Sequence, residues 1–291
     1  MSLVITGASG HLGRRTAELL LGTEGVDAAD VVLITRNAAA LDDLAARGAT
    51  VRQGDFGDPA TLPAAFAGAR RVLIISTDAV GARIAHQHAA IDAAKAAGAT
   101  LIAYTSIGNP TEGNPAGVVP DHRATEEALK ASGVAYTMLR NALYSEYRLP
   151  EAQAAIASGQ FHHNQGDGVT AYVSREDCAA AAAAVLAGGD EHANKAYDIT
   201  GPELLGGADL ARIYGEAGGT AVAAIAVDDD AFMAGLVAAG VPAAAAPLLA
   251  SFGRAIREGQ LAQRSGDVEA LTGRPPRSVS DVLAGALAAR A

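Results

Sequence analysis

The feature that most constrains the fold is a glycine-rich turn between a short apolar run and an amphipathic run. Residues 3–5 (LVI) have the length of a buried strand, and a helix is predicted over residues 11–21. Between them, glycines recur at every third position, as Gly7, Gly10 and Gly13. In a strand–turn–helix setting they permit a tight turn, a close backbone approach to a ligand, and close packing of the helix on the sheet. The pattern predicts the first strand and helix of a parallel α/β sheet.

The rest of the first half repeats this alternation of strand and helix. Further strands are predicted over residues 31–34, 50–53, 72–75, 101–104 and 134–139. Asp58 followed by Pro59 predicts a helix N-terminus, and a long helix is predicted from Val80 to Ala97. Continuous apolar strands between helices are typical of a parallel sheet covered on both faces. We therefore predict an α/β fold with a doubly wound, Rossmann-type sheet.

The second half of the chain is rich in alanine and is predicted to be mainly helical. Residues 1–140 are predicted to form the Rossmann domain, and residues 141–291 a smaller, mostly helical lobe. Two later strands, near residues 169–174 and 196–200, are expected to join the sheet. Between them, Ser174-Arg175-Glu176-Asp177 opens an alanine-rich helix in the manner of a capping box.

Charge and cysteine content limit the partners and the compartment. The net charge of −10 argues against general nucleic-acid binding, so an anionic ligand must be held by local donors. The single Cys178 excludes an intrachain disulfide framework and fits a reducing compartment. No export signal is visible, and the most apolar later stretch, residues 179–186, is too short for a bilayer. We expect a cytoplasmic protein with no membrane partner.

The glycine turn has the sequence of a dinucleotide site. Backbone N–H groups at the start of the helix, aided by the helix dipole, suit a pyrophosphate. The residues predicted to contact the cofactor are Gly7, Ala8, Ser9, Gly10, His11, Leu12 and Gly13. The chain contains 33 glycines, so the alternative is a turn without a ligand. Its place between the first strand and the first helix favours the cofactor site.

The end of the second strand distinguishes NADP from NAD. In NAD-binding proteins a carboxylate about 20 residues after the glycines binds the ribose hydroxyl. Here Arg36 stands in that region, and residues 34–37 include no carboxylate. A guanidinium group suits a 2′-phosphate, so NADPH is favoured over NADH. The alternative is that Arg36 is a solvated surface residue. Arg14 and Arg15 offer further positive charge, although only one need face the ligand.

Polar residues follow three more strands at the same edge of the sheet, where doubly wound folds bind ligands. Asp55 is a candidate acceptor for the adenine amine, and Phe56 is a candidate cover for its ring. The other cofactor candidates are Ser76, Thr77, Thr105 and Ser106. For each of them the alternative is an ordinary polar loop residue.

A proton-transfer pair common in short-chain dehydrogenases is absent. That pair is a tyrosine four positions before a lysine, but the residues four positions before the three lysines are Ile91, Glu126 and Glu191. His122 is a weak candidate for an acid, and a structural role is the alternative. Alcohol oxidation and sugar epimerisation need a positioned proton carrier. Hydride transfer to a flat, electron-poor acceptor needs mainly orientation of the nicotinamide, because such an acceptor takes its proton from water.

Five blocks of sequence carry a family resemblance. They are residues 6–13 (TGASGHLG), 36–37 (RN), 51–56 (VRQGDF), 102–106 (IAYTS) and 136–144 (YTMLRNALY). Together they resemble the NmrA-like atypical short-chain dehydrogenases, especially the type 2 NAD(P)H:quinone oxidoreductases and the triphenylmethane reductases. The resemblance covers nearly the whole chain.

The resemblance implies NADPH on the glycine turn, with Arg36 near its 2′-phosphate. It also implies that Ser76, Thr77 and residues 141–146 border the nicotinamide and the substrate. Asn141, Tyr144 and Tyr147 are therefore the substrate-pocket candidates. Tyr144 is expected either to stack on a planar acceptor or simply to pack between the lobes.

Metal chemistry is not expected. The side chains of His86 and His88 would point to different faces of a predicted helix, and His162 and His163 are adjacent in a loop. Cys178 is expected to be a small core residue in an alanine-rich helix.

Two functions stay open on the sequence. One is an NADPH-dependent reductase of quinones or similar planar acceptors, and the other is a non-catalytic, NADP-binding redox-sensing regulator of the NmrA type. A sugar epimerase is disfavoured by the missing tyrosine–lysine pair. The expected partner is a small-molecule acceptor, and a homodimer is left open.

Overall fold

A seven-stranded parallel sheet forms the centre of the protein, in a computed structural model that describes residues 2–79 and 81–288. The strand order is β3-β2-β1-β4-β5-β6-β8, and every neighbouring pair is parallel. The strands of this sheet are β1 Leu3–Ile5, β2 Val31–Thr35, β3 Thr50–Gln53, β4 Arg71–Ile74, β5 Leu101–Ile107, β6 Ala135–Asn141 and β8 Lys195–Ile199. The order reverses direction beside β1, so the predicted doubly wound fold is confirmed.

Helices cover both faces of this sheet. The helices are α1 His11–Leu20, α2 Asp42–Ala46, α3 Leu62–Ala65, α4 Arg83–Ala96, α5 Val119–Ala131, α6 Arg148–Ser158, α7 Arg175–Gly188, α8 Gly207–Gly218, α9 Asp229–Ala238, α10 Ala246–Arg257, α11 Asp267–Thr272 and α12 Val279–Ala288. In β1, Leu3 and Ile5 pack with α1 and α7, whereas Val4 packs with α3 and α4 on the opposite face. Burial on both faces explains why the strand reads as a continuous apolar run.

The second half of the chain contains a two-stranded sheet that the sequence did not predict. Strands β7 Gln160–His163 and β9 Ala223–Ala226 pair in parallel beside α6 and α8. A buried cluster that includes Phe161, Leu210 and Tyr214 holds this part together. Apart from Phe161 and Ile225, the two strands carry polar residues and alanines, which give little strand signal.

The strand expected near residues 169–174 is corrected by the structure. This segment forms two isolated bridges, one from Thr170 to Leu205 and one from Val173 to Tyr144, and is not a strand of the sheet. The reason is that it crosses from one core to another, since Tyr172 packs in the cluster of Phe161 and Tyr214, whereas Val173 packs against the central sheet. The segment near residues 196–200 does reach the sheet, where β8 pairs with β6.

The long helix predicted from Val80 to Ala97 begins later than expected. In the structure α4 runs over Arg83–Ala96, and Val80 lies outside the described residues. None of the helices in the described part of the chain has both the length and the hydropathy needed to cross a membrane.

Candidate functional site

The glycine turn closes tightly onto the start of α1. Gly7 has a φ of +59°, which favours glycine, and the Gly10 amide donates to the Gly7 carbonyl at 3.0 Å. A Cβ atom on Gly13 would lie 2.5 Å from the Gly7 oxygen and 2.8 Å from the Ala8 Cα. Gly10 caps α1 without a side-chain hydrogen bond, and the first turn carries no acidic residue. The first-turn N–H groups are therefore oriented towards a ligand, in a local field that favours an anion.

Two hydroxyl groups connect this turn to the end of β2. Ser9 Oγ lies 2.8 Å from Thr35 Oγ1, and Thr35 Oγ1 accepts a hydrogen bond from the Asn37 amide at 3.1 Å. Arg36, between them, is exposed. Its side chain forms no hydrogen bond or ion pair with the residues that the structure describes, so its guanidinium group is available to a ligand.

The two arginines on α1 are already paired with carboxylates. Arg14 binds Asp43 through two contacts of 2.8 and 3.0 Å, and this hydrogen bonding lowers the pKa of the Asp43 carboxyl. Arg15 binds Glu176 on α7 at 2.6 and 2.9 Å, and hydrogen bonding raises the pKa of its guanidinium. Of the three arginines considered from the sequence, Arg36 is the one left free.

The loop after β3 is packed around Gly54. A Cβ atom there would lie 2.8 Å from Ile34 and 2.9 Å from Ala65, so the close packing demands glycine. Asp55 Oδ1 accepts from the Gly57 amide at 2.9 Å, and Phe56 is half-buried against the core. The other carboxylate oxygen of Asp55, Oδ2, accepts no such hydrogen bond from the turn.

Threonines cross-link the ends of the central strands. Thr6 Oγ1 donates to the Leu73 carbonyl at 3.1 Å and accepts from the Ile75 amide at 3.0 Å. The Ser76 amide donates to Thr105 Oγ1 at 2.9 Å, and Thr105 Oγ1 lies 3.3 Å from Ser76 Oγ. These contacts fix the β4 and β5 ends relative to each other. Thr77 continues the loop, with its hydroxyl accepting from the Ala79 amide at 3.1 Å.

Two buried polar atoms at the ends of β5 and β6 have no protein partner. They are Ser106 Oγ and Asn141 Oδ1, on residues that are each 5% exposed. Asn141 Nδ2 donates to the Tyr144 hydroxyl at 3.2 Å. Buried polar atoms in native proteins are normally hydrogen-bonded, so an unsatisfied pair at a ligand-binding edge fits a polar group of a ligand.

Beside Asn141, two tyrosines and an arginine form an aromatic rim, defined here as Tyr144, Tyr147 and Arg175. The two tyrosine ring centroids are 5.8 Å apart. The Arg175 guanidinium lies 5.3 Å from the Tyr144 centroid and 4.7 Å from that of Tyr147. Tyr147 is 60% exposed, whereas burial raises the pKa of the Tyr144 hydroxyl. The rim therefore presents a neutral aromatic surface together with one positive charge.

His122 lies in a different environment. It is buried between α5 and the sheet, where its Nδ1 is 2.7 Å from the Tyr104 hydroxyl, which itself donates to Gln87. Burial, with the nearby Arg83 charge, lowers the pKa of His122 to about 3. The imidazole is therefore neutral at physiological pH, and its buried hydrogen bond favours a structural role over that of an acid.

Sequence reasoning missed two contributors to this region. The sequence analysis selected Arg36 and not Thr35, although the Thr35 hydroxyl directly precedes that arginine in the sequence. Arg175 was noted only within a helix start, because its position over two tyrosines depends on the fold. Glu146 supports it, since Glu146 Oε1 accepts from the Arg175 amide at 2.9 Å.

The described residues contain no group of three or more His, Cys, Asp or Glu side chains placed to hold a metal ion. Cys178 is buried in α7, and burial raises the pKa of its thiol well above the usual range. A buried thiol of this kind is unreactive.

Comparison with known proteins identifies the family. The profile of the NAD(P)H-binding family matches residues 7–188, more than half of the chain. The chain belongs to this family. The matched region begins at Gly7, the first glycine of the turn, and extends to Gly188 at the end of α7. NAD(P)H binding, inferred from the glycine turn, is thereby confirmed.

Full-length relatives agree with the resemblance drawn from the sequence. The chain is 38% identical over 279 residues to quinone oxidoreductase 2 of Escherichia coli, covering 96% of each chain. The crystal structure of an NADPH-dependent quinone oxidoreductase from Escherichia coli complexed with NADPH superposes with a TM-score of 0.93 at 37% identity, covering 98% of this chain and 99% of that one. Triphenylmethane reductase of Citrobacter sp., complexed with NADP(H), gives a TM-score of 0.91 at 33% identity, covering 98% of this chain and all of that one.

Proposed function

We propose that this protein is an NADPH-dependent reductase that transfers hydride to a quinone or a similar planar, electron-poor acceptor. The observation that carries the proposal is the arrangement at one sheet edge. Across the strand ends from β2 to β6 lie Arg36, then the glycine turn, and then the unsatisfied Ser106 and Asn141. Two relatives that match the whole chain, named above as a quinone oxidoreductase and a triphenylmethane reductase, support the same chemistry.

The residues fit NADPH at three points. The N–H groups at the start of α1 would bind the pyrophosphate, and Arg36 would bind the 2′-phosphate. The unsatisfied Ser106 Oγ and Asn141 Oδ1 would bind the nicotinamide carboxamide. Asp55 and Phe56 would contact the adenine. Between the adenine and the nicotinamide, the cofactor would be lined by Ser76, Thr77 and Thr105.

Bound NADPH supplies the hydride in this proposal. The acceptor gains two electrons with that hydride and takes one proton from water, so a quinone becomes a hydroquinone and NADPH becomes NADP⁺. The contribution of the chain is to orient the acceptor and to limit competing reactions with solvent. Asn141, Tyr144 and Tyr147 would form the acceptor side of the pocket. A tyrosine–lysine pair is not required, which agrees with its absence from the sequence.

The regulator of the NmrA type is the less favoured candidate. It would bind NADP without turnover, whereas the full-length relatives described above are named as a quinone oxidoreductase and a reductase. The aromatic rim beside Asn141 also gives the chain a surface suited to an acceptor, for which a sensor of the cofactor alone has no need.

A steady-state assay separates the two. The purified protein is mixed with NADPH and a panel of small quinones, and oxidation of the cofactor is followed by the loss of absorbance of the reduced nicotinamide. Turnover with NADPH that exceeds turnover with NADH supports the proposal. Tight NADP binding without turnover of any acceptor supports the regulator instead.

The proposal also includes two properties of the protein in the cell. We place it in the cytoplasm, where its lone buried thiol Cys178 would stay reduced. A homodimer is left open and is tested by the mass of the protein in solution.

A further inference from the structure

The positive charge in the aromatic rim is not neutralised by an ion pair. Among the described residues, no carboxylate forms a salt bridge with the Arg175 guanidinium, whose contacts are the faces of Tyr144 and Tyr147. Glu146 accepts a hydrogen bond from the backbone amide of Arg175 and none from its side chain. By contrast, Arg148 on α6 pairs with Glu151 at 2.7 Å.

This charge stands next to the acceptor side of the proposed pocket. Tyr144 contacts Asn141 at the end of β6, and Tyr147 opens to solvent. A planar acceptor that reaches Asn141 would therefore lie against the aromatic rim. The chain as a whole carries a net charge of −10, so an anionic acceptor is repelled at long range and attracted only by a local positive group.

We propose that Arg175 is a specificity-determining residue that selects acceptors by charge, favouring anionic or neutral quinones over cationic dyes. The inference rests on the proposed reductase function and names the acceptor class for that site. Its physical basis is the guanidinium charge on the rim, which attracts an acidic substituent and repels a cationic ring system.

The test compares a neutral naphthoquinone, its sulfonated derivative and a cationic triphenylmethane dye as acceptors with saturating NADPH. In Arg175→Gln we expect kcat/KM for the sulfonated quinone, relative to the neutral one, to fall about tenfold. The ratio for the cationic dye should rise. Arg175→Lys keeps the charge and should keep most of the preference. Comparing ratios removes differences in reduction potential between the acceptors.

Arg212→Gln is the matched control, because Arg212 is an exposed arginine on α8 paired with Glu216. It removes the same charge from the protein and should leave both ratios unchanged. If Arg175→Gln does not bind NADPH, Arg175→Met supplies the neutral variant, since it keeps an alkyl stem against the tyrosines.

The outcomes separate the two proposals. Failure of the unmodified protein to reduce any quinone rejects the reductase function itself. Turnover with acceptor ratios that stay within about twofold in the neutral Arg175 variants overturns only the charge selection.

Discussion

The hydroxyl groups of Ser9 and Thr35 lie 2.8 Å apart and join the glycine turn to the end of β2. Thr35 Oγ1 also accepts from the Asn37 amide at 3.1 Å, which shapes the loop that carries Arg36. The start of α1 and the arginine are thus held at a fixed separation. That arrangement suits a ligand with a pyrophosphate and a separate phosphate at a fixed spacing, as in NADPH.

Replacing Arg36 with alanine should change the cofactor preference. We expect NADPH binding to weaken by about 1–3 kcal/mol, because a charged hydrogen-bond partner of the 2′-phosphate is lost. NADH binding should change little, since that cofactor has no 2′-phosphate. Titration of each cofactor by calorimetry measures both values. Arg47→Ala, which removes another exposed arginine, is the control. Equal losses for the two cofactors would refute the assignment.

Gly13→Ala should damage both the turn and the cofactor site. The added methyl group would lie 2.5 Å from the Gly7 oxygen, so α1 has to move away from the turn. We expect a loss of about 1–3 kcal/mol in the free energy of unfolding, together with weaker NADPH binding. Urea unfolding and cofactor titration measure the two effects. Gly235→Ala on α9, where a Cβ atom would meet nothing within 4 Å, is the control and should not destabilise.

The sequence predicted the sheet well because its signals are local. Continuous apolar runs and the Gly7-to-Gly13 spacing depend only on neighbouring residues, and right-handed crossovers then leave few topologies, of which the doubly wound sheet is the commonest. The bridges of residues 170–173 depend on where two cores meet, so the same apolar pattern gave a wrong strand. Strands β7 and β9 each carry only one residue typical of a strand, Phe161 and Ile225, among polar residues and alanines, which is too weak a signal in four residues.

Only part of the candidate site could be predicted from the sequence. The strand-end residues were found because all carboxyl ends of a parallel sheet share one edge. Arg175 contacts Tyr144 and Tyr147 only because the fold brings distant segments of the chain together. The spacing of residues in the sequence does not predict such a contact. The ion pairs of Arg14 and Arg15 also depend on the fold, so the sequence could not show that Arg36 is the unpaired one of these three arginines.

Asp177→Asn should destabilise the junction between α7 and the C-terminal segment. Asp177 is fully buried, accepts from Arg274 at 2.7 Å and from the Arg277 amide at 2.8 Å, and lies 2.6 Å from Ser174 Oγ. Asparagine removes the charge that pairs with Arg274 and replaces one acceptor oxygen with an NH2 group that cannot accept from the surrounding donors, so we expect a loss of about 3 kcal/mol in the free energy of unfolding. Urea denaturation measures it.

The control for this change is Glu216→Gln, which breaks the exposed pair with Arg212. An exposed pair contributes about 0–1 kcal/mol, so the control should stay close to the unmodified protein. A loss at Asp177 no larger than that of the control would show that the buried contact contributes nothing to stability.

His122 should make the protein less stable in acid without taking part in turnover. Burial lowers the pKa of the folded imidazole to about 3, whereas an unfolded histidine titrates near 6.5. The unfolded state therefore binds a proton first as the pH falls below about 6.5, and folding stability drops until the folded pKa is reached. Between pH 7 and pH 5 this one group accounts for about 2 kcal/mol of the loss in the free energy of unfolding.

His122→Gln should remove that share of the pH dependence, as measured by urea unfolding at several pH values. His162→Gln, at an exposed histidine, should leave the slope unchanged. If His122→Gln instead altered the pH profile of kcat while the stability slope stayed the same, the histidine would be acting in the reaction.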